Sequence, residues 1–414
     1  MHDPTVPAAP TGSVFAGIDW ASADHAVCVI DAAGTVLWRH TVSHSRAGLT
    51  RLTTRLRDLQ VTRVGIERPD GPVVEALLGA GLLVAVVPPR QVKNLRSRYR
   101  GAGKDDRFDA YLLADAMRTD GHRFTDLTRD SAQTTGLRAL VRARQDLVEV
   151  RVGLVNQLRH TLELAFPGAV GLFCDLHSPI ARAFLRRFPT AAEAAALDEE
   201  TMAAWLAGQG YPGRTPAAVF LDRLRTAPAG LTGTEAAARR HITVALLAAI
   251  DAIEDQAAEL TRRIKQTLTA HPDAPIFTSL PRAGQLRAAA LLAEIGDARG
   301  RYPSPDALAA AGGVCPVTFE SGKHRAVGFR YITDLKLRRA LTDFADDSRH
   351  ANPWAADLYA RARARGMRHP HAVRVLARAW TGVIWRCWQD HQPYNPDRHG
   401  ALTRYLSQDA AAAA

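Results

Sequence analysis

VFAGIDWASADHAVCVIDAAGTVLWRHTV, residues 14–42, decides the fold. Its three apolar runs, VFAGID, HAVCVID and TVLWRHTV, have the length of strands and are rich in valine, isoleucine and aromatic residues. Ala23-Asp24 and Ala32-Ala33-Gly34 separate them as turn signals, so the three form a meander. An amphipathic helix follows, with Leu49, Leu52, Leu56 and Leu59 on one face. Next come the short strand TRVGIE, a helix over Pro72–Ala80, the strand LLVAVVP and more helix. A meander and then alternating helix and strand is the order of an α/β ribonuclease-H-like domain, a mixed sheet with helices on both faces.

Around this domain the chain divides by pattern. Residues 1–12 read as a disordered leader, and the α/β domain spans 13–168. It ends in a long helical pattern from Gly136 to Phe166, where Leu140, Leu147, Leu154, Leu158 and Leu162 recur until Pro167-Gly168 stops it. Residues 169–233 hold short helices broken by Pro189, Pro212, Pro216 and Pro228. A second long helix runs from about Thr234 to Ala270, with Ile250, Ile253, Leu260 and Ile264 on a loose coiled-coil-like seam. Residues 169–270 are thus a helical insert and stalk; its long helix and the one ending at Phe166 form an antiparallel hairpin or a dimerisation stalk, or else part of an ordinary helical bundle. A mostly α C-terminal domain follows over 271–400, and 401–414 is a tail ending in polyalanine.

The 414 residues exceed one ordinary domain, and 47% hydrophobic content supplies the cores. A formal charge of +11 favours a polyanionic partner, because neutralised phosphates release counterions; a basic surface kept for solubility is the other reading. Cys28, Cys174, Cys315 and Cys387 are too scattered for a zinc or redox motif and read as reduced core thiols. The first residues lack the basic and apolar regions of a signal peptide. The most apolar stretch, Val73–Val87, holds Glu75 and two glycines and falls short of a membrane span. The expectation is a cytoplasmic protein without a membrane partner.

Four carboxylates stand out. Asp19 ends the first strand in GIDWAS, and Glu67 ends the strand VGIE. Neighbouring strand ends bring such groups together at one rim. Asp106 and Asp109, in KDDRFDAYLLADA, share a helix face through their i, i+3 spacing. Oxygen ligands converging in this way suit Mg²⁺, and two ions roughly 4 Å apart stabilise both oxygens of an in-line phosphoryl displacement. Each acid has a structural reading too: Asp19 as a turn cap, Glu67 paired with Arg68, Asp106 and Asp109 as helix-start residues. Asp105 is i, i+4 from Asp109, and helical geometry does not separate it from Asp106.

Cations follow the same logic. Arg90, Lys93, Arg96, Arg98, Arg100 and Lys104 form an acid-free strip directly before the acidic pair, with Tyr99 among them. Arg138, Arg142, Arg144 and Arg151 add a stripe on the long helix. Both suit nucleic-acid backbone, or else are solvated faces. SLPRAGQLRAAALLAEIGD looks like a helix-hairpin-helix-like element, with Arg282 where such hairpins usually carry glycine. Ser321 lies in an expected loop, followed by Gly322, Lys323, His324 and Arg325. No Gly-x-Ser-x-Gly elbow surrounds it, and its cations suit a phosphate better than an acyl group.

Taken together these residues resemble the DEDD-type transposases of circle-forming insertion sequences, a family that includes site-specific DNA invertases and bridge-RNA-guided serine recombinases. The similarity covers residues 14–166 and about 272–346. GID carries Asp19, the strand-end acid is Glu67, and the Lys-Thr-Asp-x-x-Asp-Ala pattern reads KDDRFDA, which makes Asp106 and Asp109 the metal ligands. The Ser-Gly pattern maps onto Ser321-Gly322 and implies Ser321 as nucleophile. The chain departs from the family pattern at Pro281-Arg282-Ala283-Gly284, at Ser-Gly-Lys, and at YITDLK before Leu337-Arg338.

The resemblance implies a ribonuclease-H-like domain using Mg²⁺, with Mn²⁺ as substitute, and a C-terminal serine transposase domain. It also implies donor and target DNA, a structured noncoding guide RNA, active sites shared between protomers of a homodimer or homotetramer, and a nucleoid-associated bacterial setting. Arg138, Arg142, Arg282, Lys323, Arg325 and Arg338 join the 90–104 strip as expected nucleic-acid contacts. The rival is a Holliday-junction-type endonuclease using only the four acids. A sugar-kinase or actin-like ATPase would need phosphate loops in a second similar half, which the sequence lacks.

Overall fold

The computed structural model describes residues 12–97, 105–321, 324–331 and 333–413, with backbone only for Arg90, Phe319, Ser321, His324 and 409–413. Arg98, Arg100, Lys104 and Lys323 lie outside the described residues. Contacts group the chain into two compact units, Met1–Asp130 with Ala298–Pro303, and Ser131–Asp297 with Ser304–Ala414.

In the first unit, β1 (Val14–Trp20), β2 (Asp24–Ile30) and β3 (Val36–Ser43) form the meander, followed by α1 (Arg46–Asp58), β4 (Val61–Ile66), α2 (Pro72–Gly79), β5 (Leu83–Val86), α3 (Pro89–Arg96) and α4 (Asp106–Asp120). The sheet order is β3-β2-β1-β4-β5, antiparallel through the meander and parallel from β1 to β5. This mixed sheet is consistent with the ribonuclease-H-like fold. Strand alternation divides the core in two. Ala16, Ile18, Val27 and Val29 pack with Leu52, Leu56, Val73 and Leu77 from α1 and α2. Phe15, Cys28 and Ile30 pack with Val92, Leu95, Leu113 and Met117 from α3 and α4. Strands covered on both faces have no polar side to show, which is why they read as unbroken apolar runs.

Helix α4 lies unusually close to the sheet because two glycines admit it. A Cβ on Gly17 would stand 2.1 Å from the Ala110 carbonyl oxygen and 2.3 Å from the Ala114 amide; one on Gly65 would stand 2.7 Å from the Leu113 carbonyl. These are backbone atoms of a helix and yield only if the helix moves. Gly17→Ala is therefore expected to cost about 1–3 kcal/mol of stability, as overpacking does. The drop would be measured as a lower urea midpoint, and an unchanged midpoint would contradict this seating.

In the second unit, α5 (Ala132–Ala165) and α10 (Gly233–Thr269) pair along their lengths. Arg144 donates to Thr261 at 2.7 Å and Arg151 pairs with Glu254 at 2.9 Å, so the helices run antiparallel. Within the chain the two helices pair as an antiparallel hairpin. The insert between them, α6 (Pro179–Arg187), α7 (Ala191–Ala194), α8 (Glu199–Gly208) and α9 (Ala217–Thr226), closes a core of Phe166, Phe173, Phe184, Phe188 and Phe220 over the ends of the pair. Cys28 is buried as expected, but Cys174 is exposed in the loop before α6 and is not a core thiol.

Then come α11 (Ala274–Thr278), α12 (Gly284–Ile295), α13 (Pro305–Ala311), a hairpin of β6 (Val317–Ser321) and β7 (His324–Gly328), α14 (Leu335–Ser348), α15 (Pro353–Ala364), α16 (His369–Gln389) and α17 (Gly400–Ala413). Arg282, between α11 and α12, takes φ +57°, the left-handed conformation that glycine adopts most easily. Trp380 is fully buried and donates to Ser348 Oγ at 2.8 Å. No described helix is long and apolar enough to cross a membrane.

Two buried imidazoles make stability depend on pH. Burial lowers the His399 pKa, and His25 is lowered by burial and by the charge of His44, 2.9 Å away. A depressed imidazole contributes stability that is complete above its unfolded value, roughly pH 6.5, and is lost as pH falls toward the folded value. Melting temperature is expected to fall on acidification from about pH 7 to pH 5, over which unfolded imidazoles protonate. His399→Gln should make that fall shallower. Superimposable profiles for the two proteins would refute the assignment.

Candidate active site

Ile18 of β1 pairs with Ile66 of β4 in parallel register. The following residues, Asp19 and Glu67, therefore leave adjacent carboxyl ends of the central strands side by side. This is the rim where open α/β sheets carry their sites. The close seating of α4 on Gly17 and Gly65 brings the helix's first turn to the same rim. Asp109, in that turn, is only 5% exposed, whereas Asp19 and Glu67 are half-buried.

Arg96, the last residue of α3, meets Asp109 there. Its Nη2 donates to both carboxylate oxygens, at 2.5 and 2.6 Å, and its Nε to one of them at 3.2 Å. The Asp109 hydrogen bond raises the Arg96 pKa beyond its ordinary value, and the charges of Asp109, Glu67 and Asp19 add to it. Three of the four expected acids thus act on one guanidinium. Asp106 is exposed at the start of α4. Asp105 is the N-cap, accepting from the Arg107 amide at 3.2 Å. Capping gives Asp105 a structural task, a distinction that spacing alone does not supply.

Carboxylate oxygens are what hard divalent cations take, and this set already gathers a positive group. Among the described residues, no three His, Cys, Asp or Glu side chains stand close enough together to hold a metal as they are. Arg96 is one cation on which all three act. Trp20 and Arg68, which follow Asp19 and Glu67, stack with the guanidinium 4.4 Å from the indole, and Arg68 also pairs with Asp70 at 3.2 Å. The sequence reading did not foresee this cross-strand stack.

The other basic candidates divide. Lys93 and Arg325 are exposed. Arg138 donates to the Ala293 carbonyl at 2.5 Å, and Arg142 grips Glu294 at 2.6 and 3.0 Å, both within the second unit. Arg282 pairs with Asp347 at 3.1 Å. Arg338 donates to the Gly312 and Arg330 carbonyls and to Thr333, with its guanidinium 4.5 Å from the Phe329 ring. Ser321, expected in a loop, ends β6 and pairs with His324 of β7. Its run is too short for alternation to separate strand from loop.

Comparison with known proteins identifies the family. A family model described as transposase matches residues 16–167, and one described as transposase of the IS116/IS110/IS902 family matches 274–360. The mini-circle putative transposase for IS117 of Streptomyces coelicolor is 34% identical over 405 residues, covering 93% of this chain and 96% of that protein. A 44.8 kDa insertion element IS116 protein of Streptomyces clavuligerus is 28% identical, covering 92% and 96%. A 42 kDa IS900 protein of Mycobacterium paratuberculosis is also 28% identical, over 92% and 97%. The match over 274–360 lies in a region that an acid-only junction nuclease does not need, so that alternative is not favoured. Homology over nearly the whole chain is consistent with a DNA-cleaving enzyme, and the DEDD match suggests a divalent metal. The chain belongs to the IS116/IS110/IS902 family of transposases.

Proposed function

We propose that this transposase is a site-specific recombinase that cuts donor and target DNA through Ser321, with Mg²⁺ held by Asp19, Glu67, Asp106 and Asp109, and with a structured noncoding RNA as guide. The observation that carries the metal site is the gathering of Asp19, Glu67 and Asp109 about Arg96 at the carboxyl rim of the sheet. Divalent ions there would neutralise charge on the phosphate in flight. Asp105 keeps the helix end in place, and Lys93 and the cations of the 90–104 strip other than Arg96 lie next in sequence to hold backbone phosphates.

Ser321 Oγ would displace one deoxyribose oxygen from the scissile phosphate, leaving a phosphoserine ester. An incoming deoxyribose hydroxyl reverses the exchange on the new strand, so the number of phosphoester bonds is conserved. Sequence choice would then come from base pairing with the guide, and a homodimer or homotetramer would bring the partner strands together.

Nucleic acid that co-purifies with the protein, once sequenced, identifies guide and target together. Strand exchange on that target is expected to stop with EDTA or ribonuclease. It should return with Mg²⁺ or with the re-added RNA, respectively. Exchange that survives ribonuclease would remove the guide from this reading, and exchange that survives EDTA would remove the metal.

A further inference from the structure

From Leu358 to Gln389 the chain has seven arginines and no carboxylate. Within this run Gly366, at φ +82°, ends α15 and turns the chain into α16. Its amide bonds to the Arg363 carbonyl at 2.9 Å, and the Met367 amide to that of Ala362 at 3.2 Å. The turn gathers Arg365, Arg368, His371 and Arg374 around an open cavity of about 450 Å³. Arg365, Arg368 and His371 are exposed, and Arg374 is half-buried.

Cations nearby in the run have acidic partners. Arg361 pairs with Asp357 at 2.8 Å, and Arg378 pairs with Asp306. Among the described residues, no carboxylate pairs with Arg365, Arg368 or Arg374. Arg374 stands 4.3 Å from the centroid of Phe329, the ring that Arg338 approaches at 4.5 Å, so two guanidiniums share one aromatic face-partner without an acid. Burial and the like charge of Arg338 lower the Arg374 pKa, the response of a cation short of an anion. Tyr331, edge-on to Phe329 at 4.9 Å, is 78% exposed beside them. Phe329 directly follows β7, at the open end of the hairpin whose other end carries Ser321.

We propose that the α15–α16 turn, through Arg365, Arg368 and Arg374, is a docking site for the phosphodiester backbone of nucleic acid. The site rests on the chain's acting on nucleic acid and is independent of the role of Ser321. Guanidiniums without a carboxylate partner, one of them half-buried, bind phosphate with fixed fork geometry, and the exposed tyrosine offers a base a stacking surface. The signal was legible in the sequence as a long acid-free run, and it lies beyond the matched residues 274–360.

The test is a salt titration of full-length protein against a mixed-sequence 30-base-pair DNA duplex and a structured RNA hairpin. An Arg365→Gln/Arg368→Gln/Arg374→Gln protein is expected to flatten the log–log salt slope by about 2–3 units on at least one probe, since each lost phosphate contact contributes roughly 0.7–0.9. Loss on the duplex alone identifies DNA, and loss on the hairpin alone identifies RNA. Arg361→Gln/Arg378→Gln, which removes paired arginines, should leave both slopes as they were. Arg374 packs on Phe329, so the exposed double variant Arg365→Gln/Arg368→Gln guards against misfolding; its expected loss is about 1.5 units. Wild-type binding to both probes, with unchanged slopes in the triple and double variants, would overturn this site and leave the recombinase reading intact. A wild-type protein that binds neither probe would overturn both.

Discussion

An Asp109→Asn protein is expected to fold and to bind DNA with the wild-type salt slope, yet to exchange strands at least about a hundredfold more slowly. Removing a partner that merely orients a metal ligand costs roughly 10–100-fold, and removing a ligand itself should cost more. Asparagine keeps the shape of the side chain and can still accept from Arg96, so the loss is one of charge. Asp109 is buried at the sheet rim, while the Arg96 side chain is 27% exposed and can regain water. The stability cost should therefore be about 1.5–3 kcal/mol, the range for a hydrogen bond to a charged group. A melting curve separates that cost from the catalytic effect. Asp105→Asn is the control: asparagine caps a helix as well as aspartate does, so α4 and its activity should persist. A dead Asp105→Asn beside a fully active Asp106→Asn would mean that the metal uses the cap residue instead.

Much of the first unit was legible because its central strands are covered on both faces. The cores of these strands, residues 14–18, 26–30 and 64–66, announce themselves by unbroken apolarity, and their order implies the sheet. What the sequence does not contain is the register. That Ile18 lies opposite Ile66, and hence Asp19 beside Glu67, follows from pairing between residues 48 positions apart in the chain. Gly17 and Gly65 look like weak points of two strands until α4 is laid across them; only then is the missing Cβ the reason the first turn of α4, with Asp109, reaches the sheet rim.

Cations were harder to read than acids, for a physical reason. A carboxylate at a strand end has few places to go, whereas an arginine reaches far and takes whichever acceptor tertiary structure supplies. Spacing made Arg96 one of six equivalent cations, yet it turns inward to Asp109. Arg138 and Arg142 form a stripe at i, i+4, yet Ala293 and Glu294, about 150 residues away in sequence, take their donors. Arg282 is the reverse case: its position where glycine is usual was visible in the sequence, and its backbone adopts the left-handed geometry that explains the usual residue.

A Ser321→Ala protein is expected to bind DNA and assemble, and to give no protein–DNA adduct on a denaturing gel, where wild type gives one. The motivation is a serine at the end of a short hairpin with Lys323, His324 and Arg325 next to it in sequence, able to offset charge on a pentacovalent phosphate. A serine hydroxyl is a weak nucleophile unless a base or metal takes up its proton's charge. In this chain the candidate source of that help is the carboxylate rim, so cleavage should require both sets of residues. Mixing provides the sharper form of the test. If active sites are completed between protomers, Ser321→Ala and Asp109→Asn proteins, each inactive alone, should regain part of the adduct when combined, because one supplies the acids and the other the serine. No adduct from the mixture, with adduct from wild type, would confine both groups to one protomer. An alanine variant that still cleaves and rejoins DNA would remove the serine from the chemistry and leave water or a free DNA hydroxyl as the nucleophile at the acids.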